Sequence, residues 1–346
     1  MLGILKSDKT QRQEKSEPAA PGQVDTDKAS QPGPLPPRRP KIGLALGAGV
    51  ARGWSHIGVI KRLQEEGIPI DVVAGTSIGA VVGGAFASGS LDVVEEWACS
   101  LGEYNFFRLL DLRFGGGLFG SDKLNSLMEE KFGNVLFSDM KIPFTAVACE
   151  LKSGHEVWLD TGEMSSALRA SFAIPGIFEP QKRDGRWLVD GALVNPVPVS
   201  VCRAAGCDIV IAINLSEDLY GRKRAQADGA MNSDDYGVFA EHDGHAATLV
   251  NDRKSSLFRK IFGHKKDAPS LFANLMASLN IMQNRLSRSR LAGDPPDISI
   301  CPRVGHIGLM EFHRASELIM EGQTAFDLAL PQIRDTLAII SHRINH

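Results

Sequence analysis

Hydrophobic positions along the chain alternate between short apolar runs and longer stretches with helical spacing. Ile42-Gly-Leu44-Ala-Leu46, residues 69–75 around Val72-Val73, and Ile209-Val-Ile-Ala-Ile213 read as buried strands. Between the first two, Ile57, Ile60 and Leu63 recur at helical spacing up to Gly67. Strand, loop, helix and strand make a βαβ unit, and hence parallel strands joined by a right-handed crossover. Helical patterns follow from Ser77, from Leu91 to about Leu110, and from Ser121 to Phe132. Residues 143–149 and 155–159 flank Lys152-Ser153-Gly154 as a hairpin, and a second hairpin turns at Asp184-Gly185. A helix over 165–172 breaks at Ile174-Pro175-Gly176, and Asn195-Pro-Val-Pro198 opens another to Ala205. Leu271, Leu275, Leu279, Met282 and Leu286 predict an amphipathic helix over 270–291 that packs this stripe on the core. A strand over 297–300 and helices over 311–346 complete the pattern.

Composition divides the 346 residues unevenly. Residues 1–40 are polar and proline-dense, with too little apolar surface to offset ordering, and read as a disordered spacer. Residues 41–214 carry the strand pattern and form the expected main domain, with 271–346 as a helical region packed on it. Between them, 215–270 turns polar and mixed in charge and reads as a mobile insertion. Within it, Leu257, Phe258, Ile261 and Phe262 lie among lysines and arginines that could press on an anionic membrane, although a solvated loop is the simpler reading. A net charge of −3 gives no reason to expect nucleic acid. Five cysteines without a Cys-x-x-Cys pair suit free thiols in a reducing compartment. No run reaches the ~20 apolar residues of a membrane span. The expectation is a soluble, cytoplasmic protein, compatible with peripheral contact at the inner membrane face. The nine histidines supply no His-Glu-x-x-His motif, and neither a metal nor a cofactor is expected.

Chemistry concentrates at Gly75-Thr-Ser77-Ile-Gly79, where a strand ends and a small-residue helix starts. A serine on so tight a turn sits at a helix N-terminus, where free N–H groups and the helix dipole favour negative charge. Such a serine is either a nucleophile or merely the cap of its helix. One strand away, Gly47-Ala-Gly49-Val50-Ala51-Arg52-Gly53 fails as a dinucleotide loop, because Arg52 stands where the third glycine belongs. It fails as a phosphate P-loop too, lacking the Lys-Ser/Thr pair after Gly53. What remains is a cradle of N–H groups, placed where an oxyanion hole would be needed. Asp190-Gly-Ala192 ends a predicted strand and is either a turn residue or a catalytic carboxylate.

With Gly75-Thr-Ser77-Ile-Gly79, Arg52-Gly53 and Asp190-Gly-Ala192 in this order, the chain resembles the patatin-like phospholipases, most closely the bacterial branch related to neuropathy target esterase. Ser171-Phe-Ala-Ile-Pro175-Gly-Ile-Phe178-Glu-Pro180 and Asn195-Pro-Val-Pro198 add to a likeness spanning about residues 42–214. It implies an α/β fold of three layers, with a mostly parallel central sheet between helices and a helical C-terminal extension. It also implies hydrolysis of acyl esters by a Ser–Asp dyad through an acyl-enzyme, without cofactor; the family suggests phospholipids or lysophospholipids, and a broad carboxylesterase fits equally well. Ser77 would be the nucleophile, Asp190 the proton acceptor, and N–H groups of Gly49, Val50, Ala51, Arg52 and Gly53 the oxyanion hole. Ala48 and Val50 depart from the family's glycine triplet, and a β-branched residue tolerates positive φ poorly. Phe172, Ile174, Ile177, Phe178 and the apolar stretch over 106–119 are candidates to line an acyl cleft. His56, early in the neighbouring helix, is the rival base. The competing class is a catalytically weak regulatory or membrane-associated binding protein of the same fold. A nucleotide-binding protein rests on the glycine loop alone.

Overall fold

A computed structural model describes residues 38–102, 111–115, 117–120, 133–217 and 271–346. Its backbone is one sheet, in which β1 (Ile42–Leu46), β2 (Val72–Thr76), β5 (Phe144–Glu150), β9 (Ile209–Ile213) and β10 (Ile298–Ile300) run parallel in the order β10-β9-β1-β2-β5. Three antiparallel strands, β6 (Glu156–Leu159), β7 (Gln181–Arg183) and β8 (Arg186–Asp190), extend the β5 end as the two predicted hairpins. The turn between β7 and β8 puts Asp184 and Gly185 at φ of 48° and 77°, as its Asp-Gly sequence allows. β1, β2 and β9 are buried at every position, which explains their unbroken apolar runs.

Helices cover both sides. One face carries α1 (Ser55–Glu65), α2 (Ile78–Ser88), α3 (Leu91–Ser100), α4 (Met164–Ser171) and the long α7 (Ala315–Asn345). The other carries α5 (Val199–Ala204), whose Val199, Val201 and Cys202 pack on Ala45, Ala74, Val147 and Val210. The three layers expected from the sequence are therefore present. Against α7, α1 packs backbone to backbone: a Cβ on Gly58 would stand 2.0 Å from the Ile319 carbonyl oxygen, and one on Gly322 2.0 Å from that of Ser55.

Several boundaries move. Arg38, Arg39 and Pro40, assigned by composition to the tail, belong to the described chain, because Arg38 pairs with Asp208 and Arg39 with Asp71 at the entries to β9 and β2. The helix starting at Leu91 ends at Ser100, where Leu101 turns to extended backbone, well short of Leu110. Residues 111–115 and 117–120, read as part of an apolar connection, are a small antiparallel pair, β3 (Asp111–Gly115) and β4 (Gly117–Gly120). Residues 1–37, the helix expected over 121–132, the side chains of 106–119 and the polar stretch 218–270 lie outside the described residues.

The helix α6 (Leu271–Gly293) is there, but rotated from its expected register. Ala273, Met276, Asn284 and Ser287 face inward, whereas Leu271, Leu275 and Met282 of the predicted stripe are exposed. What overrides the apolar period is a polar anchor at its far end. There Arg290 donates from Nε to the Val194 carbonyl at 3.0 Å and from Nη2 to Glu156 Oε2 at 2.8 Å.

Candidate active site

Strand registry alone brings the two candidate residues together. Along one edge of β5 runs β6, with Val147 opposite Trp158 and Ala148 opposite Val157. The other edge is shared: β2 ends with Thr76 opposite Val147, and β8, arriving from the opposite direction, ends with Asp190 opposite Ala148. Two strands thus abut end to end across neighbouring rungs. The residue after β2 is Ser77, and its Oγ donates to Asp190 Oδ2 at 2.6 Å.

Ser77 stands at the start of α2, in the N-cap position, without capping it: its hydroxyl makes no capping bond to that helix. Instead φ of 58° and ψ of −125° hold it on a strained elbow, aimed away from its own helix. The flanking glycines make the elbow feasible: a Cβ on Gly75 would lie 2.4 Å from the Gly79 carbonyl oxygen, and one on Gly79 2.2 Å from that of Leu46. Ser171, which sequence reasoning did not single out, fixes the elbow from below. Its Oγ accepts the Ser77 N–H at 3.0 Å and donates to the Val147 carbonyl at 2.6 Å. Thr76 adds a bond from Oγ1 to the Asn195 carbonyl at 2.8 Å.

Both carboxylate oxygens of Asp190 are engaged. Oδ1 accepts the Ala192 N–H at 2.8 Å as a turn residue does, leaving Oδ2 for Ser77. The carboxyl is 1 % exposed, and burial raises its pKa from 3.8 to about 7 against the opposing pull of those two hydrogen bonds. A group titrating there is half ionised near neutrality, a good match for moving a proton at physiological pH.

His56 takes no part in this pair. Its ring is wholly buried, with Nε2 at 2.7 Å from the Gly47 carbonyl oxygen, so that nitrogen carries the proton and Nδ1 has no partner among the described residues. Burial lowers its pKa from 6.5 to about 4, and the ring stays neutral. It therefore holds the start of the glycine loop in place.

The loop itself divides. Ala51 donates its N–H to the Leu309 carbonyl at 3.1 Å, and Arg52 to that of Gly49 at 3.2 Å. Gly53 packs on Ile78. The N–H groups of Gly49 and Val50 have no hydrogen-bond partner among the described residues, and both residues line the cleft beside Ser77 and Asp190. Val50 has a φ of 52°, the left-handed conformation that its β-branched side chain disfavours. The cleft is narrow, about 20 Å³, enough for a single water. Ile174 lines it, whereas Phe172, Ile177 and Phe178 are buried in the core, the two phenyl rings packed 5.5 Å apart. Its other wall, unforeseen from the sequence, is α6, through Met276, Leu279, Asn280, Gln283 and Asn284. Among the described residues no group of three His, Cys, Asp or Glu side chains could hold a metal ion; His242 and His245, three apart, lie outside them. No helix among the described residues is long and apolar enough to cross a membrane.

Fold and site together define a three-layer α/β protein with a buried serine–aspartate pair where two strands abut. A family profile described as patatin-like phospholipase matches residues 44–203. An uncharacterized NTE family protein of Mycobacterium tuberculosis is 33% identical over 338 residues, covering 84% of this chain and 91% of that protein. The chain belongs to the patatin-like phospholipase family. Neuropathy target esterase sws of Drosophila melanogaster and human patatin-like phospholipase domain-containing protein 6 are each 33% identical over 182 residues, half of this chain but 13% of those longer proteins. Among solved structures, VipD from Legionella pneumophila aligns over 84% of this chain and 67% of its own, with a TM-score of 0.46 at 14% identity.

Proposed function

We propose that this protein hydrolyses fatty-acyl esters of phospholipids or lysophospholipids through Ser77 and Asp190. The observation that carries the reading is the 2.6 Å bond from Ser77 Oγ to a carboxylate whose pKa lies near 7. Serine is a weak nucleophile until a neighbouring base takes its proton. Asp190 accepts that proton from Oγ as Oγ attacks the ester carbonyl. The N–H groups of Gly49 and Val50 receive the oxyanion, and the proton then passes to the departing alcohol. Asp190 next deprotonates a water that attacks the acyl-serine, releasing the fatty acid and returning the proton to Oγ. Ser171 acts as a positioning residue, because it bonds the Ser77 backbone and not the reacting atoms. Membership in a family of lipid acyl hydrolases supports the substrate class.

Hydrolysis of a short-chain p-nitrophenyl ester by wild type, Ser77→Ala and Asp190→Asn tests the chemistry. The expected outcome is a loss of at least about 10³-fold in each variant, as for other coupled catalytic residues. A panel of phosphatidylcholine and lysophosphatidylcholine, read by fatty-acid release, tests the substrate class. The strained Val50 favours a second reading, a binding protein of the same fold with a degraded oxyanion hole. A wild type inactive on the ester and on the lipid panel alike, yet still retaining lipid, would decide for it.

A further inference from the structure

α6 carries apolar side chains on two faces: Ala273 and Met276 are buried in the core, while a second row is left in solvent. A helix on a soluble protein turns its apolar stripe to the core and its polar face to water. Here Asn280, Gln283 and Asn284 point at the cleft, and Ser287 Oγ is buried without a partner among the described residues. The outward face carries Leu271, Leu275, Ile281 and Met282, of which Leu271 is 67% and Met282 62% exposed.

Meanwhile the site it covers is shut. Ser77 is 2% exposed, and a cleft of about 20 Å³ admits water but no acyl chain. An acyl chain reaches Ser77 Oγ only if a wall of this cleft moves, and α6 supplies five of its lining residues. The buried Ala273 and Met276 seat the N-terminal half of α6 on the core, whereas the Asn284 amide reaches Asn280 Oδ1 only at 3.5 Å and Ser287 Oγ has no partner among the described residues, so the polar groups add little to its hold.

We propose that α6 is a lid whose outward row docks on a phospholipid bilayer bearing anionic lipids, and that docking lifts its N-terminal half from the cleft. This rests on the hydrolase reading for its purpose, though not for its test. The occupant follows from the chemistry of the face. Four apolar side chains suit the acyl boundary, and the same exposed face continues into Arg285, whose guanidinium suits a lipid phosphate. The far end of α6 is the pivot, held by Arg290 on Glu156 and the Val194 carbonyl. Beside that pivot Trp158, 45% exposed, donates Nε1 to the same Glu156 at 2.7 Å. An aromatic body in solvent with its polar tip bonded suits a headgroup boundary.

The test is sedimentation of the full chain with vesicles of ether-linked phosphatidylcholine, alone or with 30 mol% ether-linked phosphatidylglycerol, which cannot be hydrolysed at the acyl position. Wild type is expected to bind the anionic vesicles at least tenfold better than the neutral ones. The triple variant Leu271→Ser, Ile281→Ser, Met282→Ser should lose at least tenfold while keeping its thermal midpoint, all three side chains being exposed. Hydrogen exchange over residues 48–53 should quicken on vesicle binding in wild type, as the covering helix lifts. Equal binding by the variant, equal binding to both vesicle types, or unchanged or slower exchange would each overturn the proposal. So would a wild-type dimer that the triple variant dissolves, since a second copy would then be the occupant. Ser77→Ala should bind like wild type. If wild type docks but cleaves no soluble ester even with the vesicles present, the hydrolase reading fails and the docking surface stands.

Discussion

Val50 occupies a backbone conformation that glycine adopts without strain, yet its side chain is buried in the core. Alanine there would surrender the packing and keep the strain, whereas glycine would surrender the packing and lose the strain. Val50→Gly should therefore be more stable than Val50→Ala by about 1 kcal/mol in denaturant unfolding, the reverse of the usual order. The sequence flagged this residue correctly, because a β-branched side chain inside a glycine loop is a visible conflict. Ser77 and Asp190 were legible for a related reason: flanking glycines and a strand-ending aspartate are local signals. Ser171 was not, since nothing in a helical serine announces that it will bond a backbone N–H 94 residues away. The proposed mechanism also implies a pH profile. It uses Asp190 in its carboxylate form, so kcat/KM for a soluble ester should rise tenfold per pH unit below about 7 and level off above it. A midpoint near 4 would mean the carboxyl is not desolvated during the reaction.

At the scale of elements, the contact between α1 and α7 makes its own prediction. Gly58→Ala and Gly322→Ala each place a methyl 2.0 Å from a carbonyl oxygen of the opposite helix, and backbone cannot swing aside as a side chain can. Each should cost about 1–3 kcal/mol or more in thermal unfolding. Gly293→Ala in α6, with nothing within 4 Å, is the control and should be neutral or slightly stabilising. Because α1 carries His56 and follows the glycine loop directly, the two damaging variants should lose activity as well as stability. The strands were readable because burial on both faces leaves an unbroken apolar run. α6 was readable as a helix but not in its orientation. Periodicity reports which positions are apolar, whereas the face that turns inward is also set by distant partners, as where Arg290 meets Glu156 and the Val194 carbonyl.

For the molecule as a whole, two buried groups pull stability in opposite directions between pH 4 and 7. Asp190, raised from 3.8 to about 7, binds its proton more tightly when folded, so its contribution is full below pH 3.8 and is lost as pH climbs to 7. His56, lowered from 6.5 to about 4, stays neutral when folded, so its contribution is full above pH 6.5 and is lost as pH falls to 4. Removing either should expose the other. The thermal midpoint of Asp190→Asn should rise more steeply with pH across this window than that of wild type, and that of His56→Gln should fall relative to it. Parallel curves for all three proteins would contradict both assignments. The abutting ends of β2 and β8 carry a last consequence. Slipping β8 by one residue along β5 would turn Asp190 to the opposite side of the sheet, away from the hydroxyl it serves. Any drift in that pairing is thus silenced at once rather than by degrees, and lengthening or shortening the 184–185 turn should act on turnover as a switch rather than a dial.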